Sequence, residues 1–299
     1  MEKAVGVDVG GTKTLFVLLN ENGKVLKAVK HLTPKSRDEL LQLLVKGIKE
    51  VKKNEKLKGI GFSFAGFLDS EQGIMHFSPN MPYINNFNFK AYLKRHFKEP
   101  LFFENDANAF ALAEYSVGYK RKYKNLIGIT LGTGVGSGII CEGLLIKGQG
   151  RGAEIGHMII DHSSGRICSC GNPGCFEAHC NGKALLDIAK EKGLTIKSNE
   201  ELHKFLKRRD KRAINAVKEF SEHLAIGFVN IINIFDPEVI VVGGGLSKIS
   251  SIIENAKKEL SKYTLVRKNT KILPAKLGNV ASAVGAAMLA FEHKKRNAN

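Results

Sequence analysis

The sequence lacks tryptophan and has only seven prolines and five cysteines among its 299 residues. Few prolines beside 31 glycines indicate loops built for close backbone approach, not proline-rich linkers. No run approaches the roughly 18 apolar residues of a membrane helix; the best candidate, residues 224–235, is short and contains two asparagines. Because Asp8 interrupts the first apolar run, a secretory signal is not expected either. These absences predict a cytoplasmic protein without a membrane partner.

Negative charge is also scarce, since 29 acidic residues face 46 basic ones and the formal net charge is +17. Basic runs occupy 120–124, 207–212 and 293–296, without the interleaved aromatic pattern of a nucleic-acid surface. We therefore interpret them as solvated faces and expect no nucleic-acid partner. The hydrophobic content of 43% and the charged content of 25% are ordinary globular values, which excludes disorder, coiled coil and collagen as the main architecture.

The length of 299 residues suggests roughly two domains, and hydrophobic periodicity predicts both strands and helices. Three strands at 5–9, 14–19 and 25–30 open it, unlike the strand–helix–strand opening of a Rossmann fold. Further strands are predicted at 57–64, 101–104, 126–131, 135–141 and 239–242. Helices are predicted at 37–53, 89–97, 107–117, 182–192, 200–206, 210–234, 247–262 and 280–293. The segment 151–181 is expected to be loop-like. Two hairpins with Gly-Thr turns indicate a weak internal duplication.

Three glycine-rich loops each follow a predicted strand. Without Cβ atoms, glycines let phosphate oxygens reach backbone N–H groups, and the threonine hydroxyls add donors. Asp8, at a strand end, could hold Mg²⁺ through water. The loop residues that we predict to bind ATP phosphates are Asp8, Gly10, Gly11, Thr12, Lys13, Gly132, Thr133, Gly134, Gly243, Gly244 and Gly245. Neither a Walker A motif nor a G-x-G-x-x-G fingerprint is present.

This order of loops resembles the actin-like ATPase superfamily, which includes the hexokinases. The resemblance implies a ribonuclease H-like fold of two α/β lobes with a cleft between them. In that superfamily the first two loops cradle the phosphates of ATP, and the third packs against the adenosine.

A cluster of possible metal ligands lies in the loop-like segment: His157, Cys168, Cys170 and Cys175. Three thiolates and one imidazole form a closed tetrahedral set, which is typical of structural zinc and leaves no open position for catalysis. The surrounding sequence, G-A-E-I-G-H-M at 152–158 and C-S-C-G-N-P-G-C-F-E at 168–177, resembles the ROK family of repressors, open reading frames and kinases. Ser169 stands where that family commonly has glycine.

The ROK resemblance covers essentially the whole chain and implies its organisation. The small lobe would comprise residues 1–117 and the closing helix 280–299. The large lobe would comprise residues 118–279, with the zinc loop at 157–177. Sugar and ATP would meet in the cleft, and a homodimer or homotetramer is expected.

The motif N-D-A-N at 105–108 matches the ROK motif whose aspartate is the catalytic base, which assigns that role to Asp106. Without the resemblance, Asp106 reads as the N-cap of the helix that follows. The resemblance also implies the residues that bind sugar hydroxyls: Gly66, Asn80, Asn105, Asp106, Glu154, His157 and Glu177. His157 would bind zinc with one ring nitrogen and a sugar hydroxyl with the other. We expect the turns at Gly10 and Gly132 to be independent of the metal.

The predicted function is ATP-dependent phosphorylation of the 6-hydroxyl of a hexose, with glucose as the preferred substrate and glucose 6-phosphate as the product. The form E-I-G-H and the element S-P-N-M-P at 78–82 are glucokinase-like. The alternatives are an N-acetylhexosamine kinase and a broad-specificity hexokinase or fructokinase. A sugar-responsive regulator is a remote alternative, because ROK repressors carry a DNA-binding domain before the first glycine loop, whereas here that loop starts at Asp8.

Overall fold

The computed structural model describes residues 1–150, 152–163, 165–263 and 269–296, with side chains up to residue 292. The chain forms two compact units. The first contains residues 1–122, 138–153 and the chain from 276 onward, and the second contains residues 123–137 and 154–275. Residues 138–153 thus belong to the first unit, where the glycine at position 138 allows close contact with the helix that starts at Asp106.

The strands and helices below are numbered in chain order. The strands are β1 (Lys3–Val9), β2 (Lys13–Asn20), β3 (Val25–Leu32), β4 (Gly59–Phe64), β5 (Phe67–Asp69), β6 (Ile74–Phe77), β7 (Phe87–Asn88), β8 (Leu101–Asn105), β9 (Leu126–Leu131), β10 (Val135–Cys141), β11 (Leu144–Ile146), β12 (Val239–Gly243) and β13 (Lys271–Pro274). The helices are α1 (Arg37–Lys52), α2 (Phe89–Leu93), α3 (Asp106–Ala113), α4 (Phe176–Cys180), α5 (Gly182–Glu191), α6 (Asn199–Lys207), α7 (Lys211–Phe235), α8 (Ser250–Leu260) and α9 (Ala281–Arg296).

The first unit is built on a five-stranded sheet in the order β3-β2-β1-β4-β8. β1 pairs antiparallel with β2 and parallel with β4, and β4 pairs parallel with β8. The carboxyl ends of β1, β4 and β8 therefore lie at one edge of the sheet. A small sheet in the order β5-β6-β7 follows β4 in the chain.

Glycines allow α9 to pack directly on this sheet. A Cβ on Gly6 of β1 would collide with the carbonyl of Ala283, and one on Gly61 of β4 with the carbonyl of Ala286. A Cβ on Gly285 of α9 would likewise collide with the carbonyl of Ala109 in α3. α9 is therefore covered by the sheet on one side and by α3 on another. Its alanine-rich sequence and weak amphipathic pattern fit such a helix. α1 presents a more regular apolar stripe, with Leu40, Leu41, Leu44, Ile48 and Val51 all buried.

The second sheet has the order β11-β10-β9-β12-β13, with β9, β12 and β13 mutually parallel. The chain passes from the second unit to the first within β10. α7 contains 25 residues, and its buried face includes Gly227, on which the ring of Phe176 rests. Asp210 is the N-cap of α7, and its carboxylate accepts the N–H of Arg212 at 2.8 Å. Asp236, in the left-handed region, is the C-cap.

Three predicted helices have different ends in the structure. The helix predicted at 89–97 stops at Leu93, the last residue of α2. The helix predicted at 107–117 gives way after α3 to a π-helical turn, Glu114–Gly118. There the buried Glu114 carboxylate accepts the N–H groups of Lys276 and Leu277 at 2.8–3.0 Å, and Gly118 leaves room for it because it has no Cβ. The helix predicted at 247–262 begins only at Ser250, after a short 3-10 turn.

No helix in the described ranges combines the length and apolar character that a membrane span requires.

Candidate functional site

Three polar residues stand in one row across the sheet of the first unit. Asp8 on β1 pairs in register with Ser63 on β4, and Ser63 pairs with Glu104 on β8. Asp106 begins α3 directly after β8. Since neighbouring strands lie about 4.8 Å apart, the backbones of β1 and β8 are separated by about 10 Å at this edge. The topology thus brings the two candidate aspartates of the first unit to the same edge of one sheet.

Asp8 is held by a residue that the sequence analysis missed. The Ser63 hydroxyl donates to Asp8 Oδ1 at 2.8 Å. Burial raises the pKa of Asp8 to about 6, and the hydrogen bond from Ser63 only partly opposes that rise. A carboxylate that is costly to ionise in its buried surroundings is suited to pairing with a cation. The residues present therefore fit the predicted water-mediated magnesium site. A serine in the otherwise apolar β4 is the signal that could have identified Ser63.

The first glycine turn has its backbone carbonyls already bonded. Gly10 O accepts the Thr33 hydroxyl at 2.6 Å, and Gly11 O accepts Lys35 Nζ at 3.0 Å. Thr12 and Lys13 are exposed. A Cβ on Gly11 would lie 3.0 Å from Cβ of Asn80. The structure therefore places Asn80, predicted from a different segment, against the first glycine turn.

Asn105 and Gly66 also meet in the first unit. Asn105 Nδ2 donates to Gly66 O at 3.2 Å. Gly66 has φ +132°, and a Cβ there would collide with the carbonyl of Phe77, so this position requires glycine. Gly66 and Asn80 lie on loops, Asn105 ends β8 and Asp106 begins α3, all within the first unit.

The N-cap of α3 is Asn105, so the capping interpretation of Asp106 was wrong. Asn105 Oδ1 accepts the N–H of Ala107 at 2.8 Å and that of Asn108 at 3.4 Å. Asn105 has the extended backbone of a cap, whereas Asp106 is the first helical residue. Asp106 is half-buried, and its Oδ1 contacts the N–H of Ala107 at 3.0 Å. Because the neighbouring amide caps the helix, the carboxylate is not needed for that purpose.

In the second unit, Glu177 links the second glycine turn to the cysteine loop. Its Oε2 accepts the N–H of Val135 at 2.9 Å, and its Oε1 accepts the Ser169 hydroxyl at 2.7 Å. Gly134 must lack a Cβ because Oε2 occupies that space. The expectation that the turn at Gly132 is independent of the metal segment was therefore wrong. Ser169, the departure from the common glycine, is a contact that the sequence analysis did not foresee.

The third glycine loop lies beside the end of β9. Gly243 ends β12, and Gly244, with φ +88°, packs so tightly against the carbonyl of Leu131 that a side chain would collide with it. Leu131 immediately precedes Gly132, whose carbonyl accepts the N–H of Gly182 at 2.8 Å. The second and third glycine loops of the sequence thus meet at one edge of the second sheet.

The four predicted metal ligands form one cluster. The candidate atoms of His157, Cys168, Cys170 and Cys175 all lie within 4.8 Å of one another. Tetrahedral zinc, with Zn–S near ~2.3 Å and Zn–N near ~2.0 Å, would separate two sulfurs by about 3.8 Å and sulfur from nitrogen by about 3.5 Å. The Cys170–Cys175 Sγ distance is 3.7 Å, and His157 Nδ1 lies 3.6 Å from Cys168 Sγ. The donor set and its spacing fit zinc.

The surroundings of these thiols also favour a cation. Burial, together with the neighbouring thiols of Cys170 and Cys168, raises the pKa of Cys175 to about 12. A bound metal would reverse that balance, because coordination stabilises the thiolate. The loop is closed by backbone hydrogen bonds, including Cys168 N–H to Asn172 O at 2.9 Å and Gly174 N–H to Arg166 O at 2.9 Å.

His157 points its two ring nitrogens in different directions. Nδ1 faces Cys168, and Nε2 lies 4.0 Å from Glu154 Oε2. The side chain of Glu154 is 61% exposed and that of His157 is 36% exposed. This geometry leaves Nε2 and the Glu154 carboxylate together at a surface that a hydroxylated ligand can reach. The two-role hypothesis for His157 is therefore sterically consistent.

A cavity of about 630 Å³ lies elsewhere in the first unit. Its walls include Lys90, Lys94, Phe103, Lys147 and Leu289, and among the described residues none of its lining belongs to the predicted site. Concavity alone therefore does not locate the predicted site.

The comparisons with known proteins agree with the motifs. The model of the ROK family matches residues 4–293. The chain is 32% identical to the glucokinase of Thermotoga maritima over 268 residues, covering 84% of each protein. It is 32% identical to the xylose repressor of Bacillus subtilis, covering 97% of this chain and 77% of the repressor.

Among solved structures, a ROK family glucokinase from Streptomyces griseus in complex with glucose and AMPPNP is similar to this chain. The TM-score is 0.81 at 29% identity, and the match covers 97% of this chain and 99% of that one. The predicted α/β fold is confirmed by this likeness. On the extent of the family match and these relatives, the chain belongs to the ROK family.

Proposed function

We propose that this chain is an ATP-dependent hexose kinase that converts glucose to glucose 6-phosphate, with Asp106 as the base. The observation that carries the proposal is the position of Asp106. It stands half-buried at the first residue of α3, where Asn105 performs the capping, and it shares the carboxyl edge of the sheet with Asp8 and the first glycine turn. The glucokinase relatives support the choice of substrate class.

Phosphoryl transfer depends on positioning and charge stabilisation more than on covalent chemistry by the protein. In this proposal the Asp106 carboxylate accepts a hydrogen bond from the 6-hydroxyl and takes its proton as the phosphoryl group arrives. Gly66, Asn80 and Asn105 hold the sugar hydroxyls around it. Asp8 would hold Mg²⁺ through water, and the metal would supply positive charge to the phosphates.

The second unit carries the other residues that we predict to recognise the substrates. Glu154, His157 Nε2 and Glu177 are acceptors and donors for sugar hydroxyls. The turns at Gly132–Gly134 and Gly243–Gly245 would supply backbone N–H groups to ATP, with open space beside Gly132 and Gly245. A structural zinc on His157 and the three cysteines would fix the orientation of the imidazole.

Two other functions have support of their own. A regulator is supported by the similarity to the xylose repressor. An N-acetylhexosamine kinase or broad hexokinase would use the same hydroxyl-binding residues with a different pocket volume. A regulator needs to bind sugar without turnover, so phosphoryl transfer separates it from both kinase functions.

The test is a phosphorylation assay with ATP and Mg²⁺ on glucose, mannose, fructose, N-acetylglucosamine and N-acetylmannosamine. We expect the highest kcat/KM for glucose and a product phosphorylated at the 6-position by NMR. A higher kcat/KM for an N-acetylated sugar would overturn the assignment of glucose as the substrate. Sugar binding without phosphoryl transfer to any of the five sugars would refute the kinase function.

A further inference from the structure

Glu104, which directly precedes the Asn105–Asp106 pair, has no role in the function proposed above. It is 3% exposed near the end of β8. Its Oε1 accepts the N–H of Asn105 at 3.0 Å and Asn108 Nδ2 at 3.1 Å. Its Oε2 pairs with Lys147 Nζ at 2.5 Å. Three donors from two separate segments therefore converge on one buried carboxylate.

These contacts bracket Asp106 on both sides. Asn105 precedes it and Asn108 lies in the first turn of α3, so Glu104 joins the end of β8 to the start of the helix. A buried carboxylate needs a compensating charge, because desolvation otherwise costs several kcal/mol. Lys147 supplies that charge from the end of β11, and its side chain is 25% exposed.

Lys147 is itself fixed by its backbone. Its carbonyl accepts the N–H groups of Gly150 and Gly152, both at 2.9 Å. The lysine thus stands at the base of a closed turn, which limits where its ammonium group can lie. Lys147 also lines the 630 Å³ cavity described above.

We infer that the buried Glu104–Lys147 ion pair is a positioning device that holds the Asn105–Asp106 segment in the geometry required for proton transfer. The inference rests on the proposed kinase function. Glu104 acts through the Asn105 amide and the Asn108 side chain, and it does not touch the sugar. Lys147 pairs with Oε2 of Glu104, while Oε1 accepts the hydrogen bonds of Asn105 and Asn108.

The test compares Lys147→Met, Glu104→Gln and the double variant with Lys94→Met, which removes another lysine from the wall of the same cavity. Lys147→Met leaves a buried charge without compensation, and we expect kcat to fall between about 10-fold and 100-fold, as displaced catalytic groups do. KM for ATP should change by less than about twofold, because the first glycine turn has separate contacts. Lys94→Met should retain the wild-type kcat.

The double variant separates positioning from bulk destabilisation. A glutamine beside a methionine carries no buried charge, and its amide oxygen still accepts the Asn105 N–H, so kcat should recover to within about threefold of wild type. Lys147→Arg, which keeps the charge, should also retain turnover and serves if Lys147→Met does not fold. All assays are run where circular dichroism shows each variant folded. A wild-type kcat in Lys147→Met, or a double variant no better than Lys147→Met, would overturn the inference.

Amide hydrogen exchange gives a readout that does not need turnover. Lys147→Met should accelerate exchange in residues 101–110, and the double variant should restore protection. Unchanged exchange there would refute the clamping role even if the wild-type chain is a kinase. Failure of the wild-type chain to phosphorylate any sugar would refute the proposed function, and with it the catalytic part of the inference.

Discussion

At the scale of single residues, the neighbouring side chains of Glu104, Asn105 and Asp106 make different contacts, although they belong to one sequence motif. Asn105 satisfies the first N–H groups of α3, so the Asp106 carboxylate is not needed as the helix cap. Glu104, one residue earlier, is buried and ionically paired. The order Glu-Asn-Asp thus reads as support, cap and proposed base. A substitution at each position should therefore have a different effect on stability and turnover.

Asp106→Asn should lower kcat by at least about 100-fold, since the variant keeps the shape but loses the proton acceptor. The melting temperature should stay near that of wild type because Asn105 remains the cap. Steady-state kinetics and thermal unfolding measure both effects. Asp187→Asn is a matched control, because Asp187 forms ion pairs with two exposed lysines of α5. Near-wild-type turnover in Asp106→Asn would remove Asp106 from the mechanism.

Asp8→Asn should stabilise the protein at neutral pH while reducing turnover. The pKa of Asp8 is about 6 in the folded protein and 3.8 as an ordinary value, so the folded state binds more protons between these values. The free energy of unfolding of the wild type therefore falls as pH rises through that window. Asparagine mimics the protonated acid, so the two proteins should be equally stable near pH 4 and differ at pH 7. Urea titrations without Mg²⁺ at both pH values measure this, and a constant difference would contradict it.

At the scale of elements, the long periodic segments could be predicted from sequence and the short ones could not. Strands 126–131 and 135–141 coincide with β9 and β10, and the predicted helix at 210–234 differs from α7 by one residue at each end. β5, β6, β7, β11 and β13 were missed because strands of two to four residues show no periodicity. The π-helical turn at Glu114 depends on backbone groups more than 160 residues away, which no local pattern contains.

In the candidate site, too, some residues could be predicted from the sequence and others could not. Motif residues could be identified from the ROK resemblance, since the family fixes their spacing along the chain. Ser169 could not, because only the folded cysteine loop brings its hydroxyl to Glu177. Ser63 is signalled by its place in an otherwise apolar strand, but its bond to Asp8 depends on the strand register. Such partners depend on tertiary contacts between distant segments.

Cys170→Ser should abolish zinc binding, because a structural site needs all four ligands. We expect about one zinc per wild-type chain and much less in the variant, measured by metal analysis after purification without chelator. Cys141→Ser is the matched control, since Cys141 is exposed and lies outside the cluster. Wild-type protein without zinc would refute the metal assignment.

His157→Gln should lose zinc and raise KM for the sugar. Because Glu177 joins Ser169 to the N–H of Val135, we also expect a smaller rise in KM for ATP. Ser169→Ala breaks that connection but keeps every metal ligand, so it should raise KM for ATP without loss of zinc. An unchanged KM for ATP in both variants would show that the connection does not matter for ATP binding.

At the scale of the whole molecule, the net charge of +17 is a property that no motif explains. A positive field raises the local concentration of anions, and ATP is anionic whereas a hexose is neutral. Several lysines accompany the first glycine turn in the sequence and in space, including Lys13 and Lys35. The positive charge therefore favours the approach of ATP, the anionic one of the two proposed substrates.

KM for ATP should rise severalfold as ionic strength increases from about 0.02 M to about 0.3 M, while KM for glucose stays constant. Salt shortens the Debye length from more than about 20 Å to less than about 10 Å over this range, which screens the field of distant lysines but not short contacts. Initial rates at fixed free Mg²⁺ measure both constants. Lys35→Met, which removes one charge beside Gly11, should flatten the salt dependence for ATP more than Lys94→Met does. Parallel rises in both KM values would indicate a salt effect on the folded structure, and the charge would then have no part in substrate recognition.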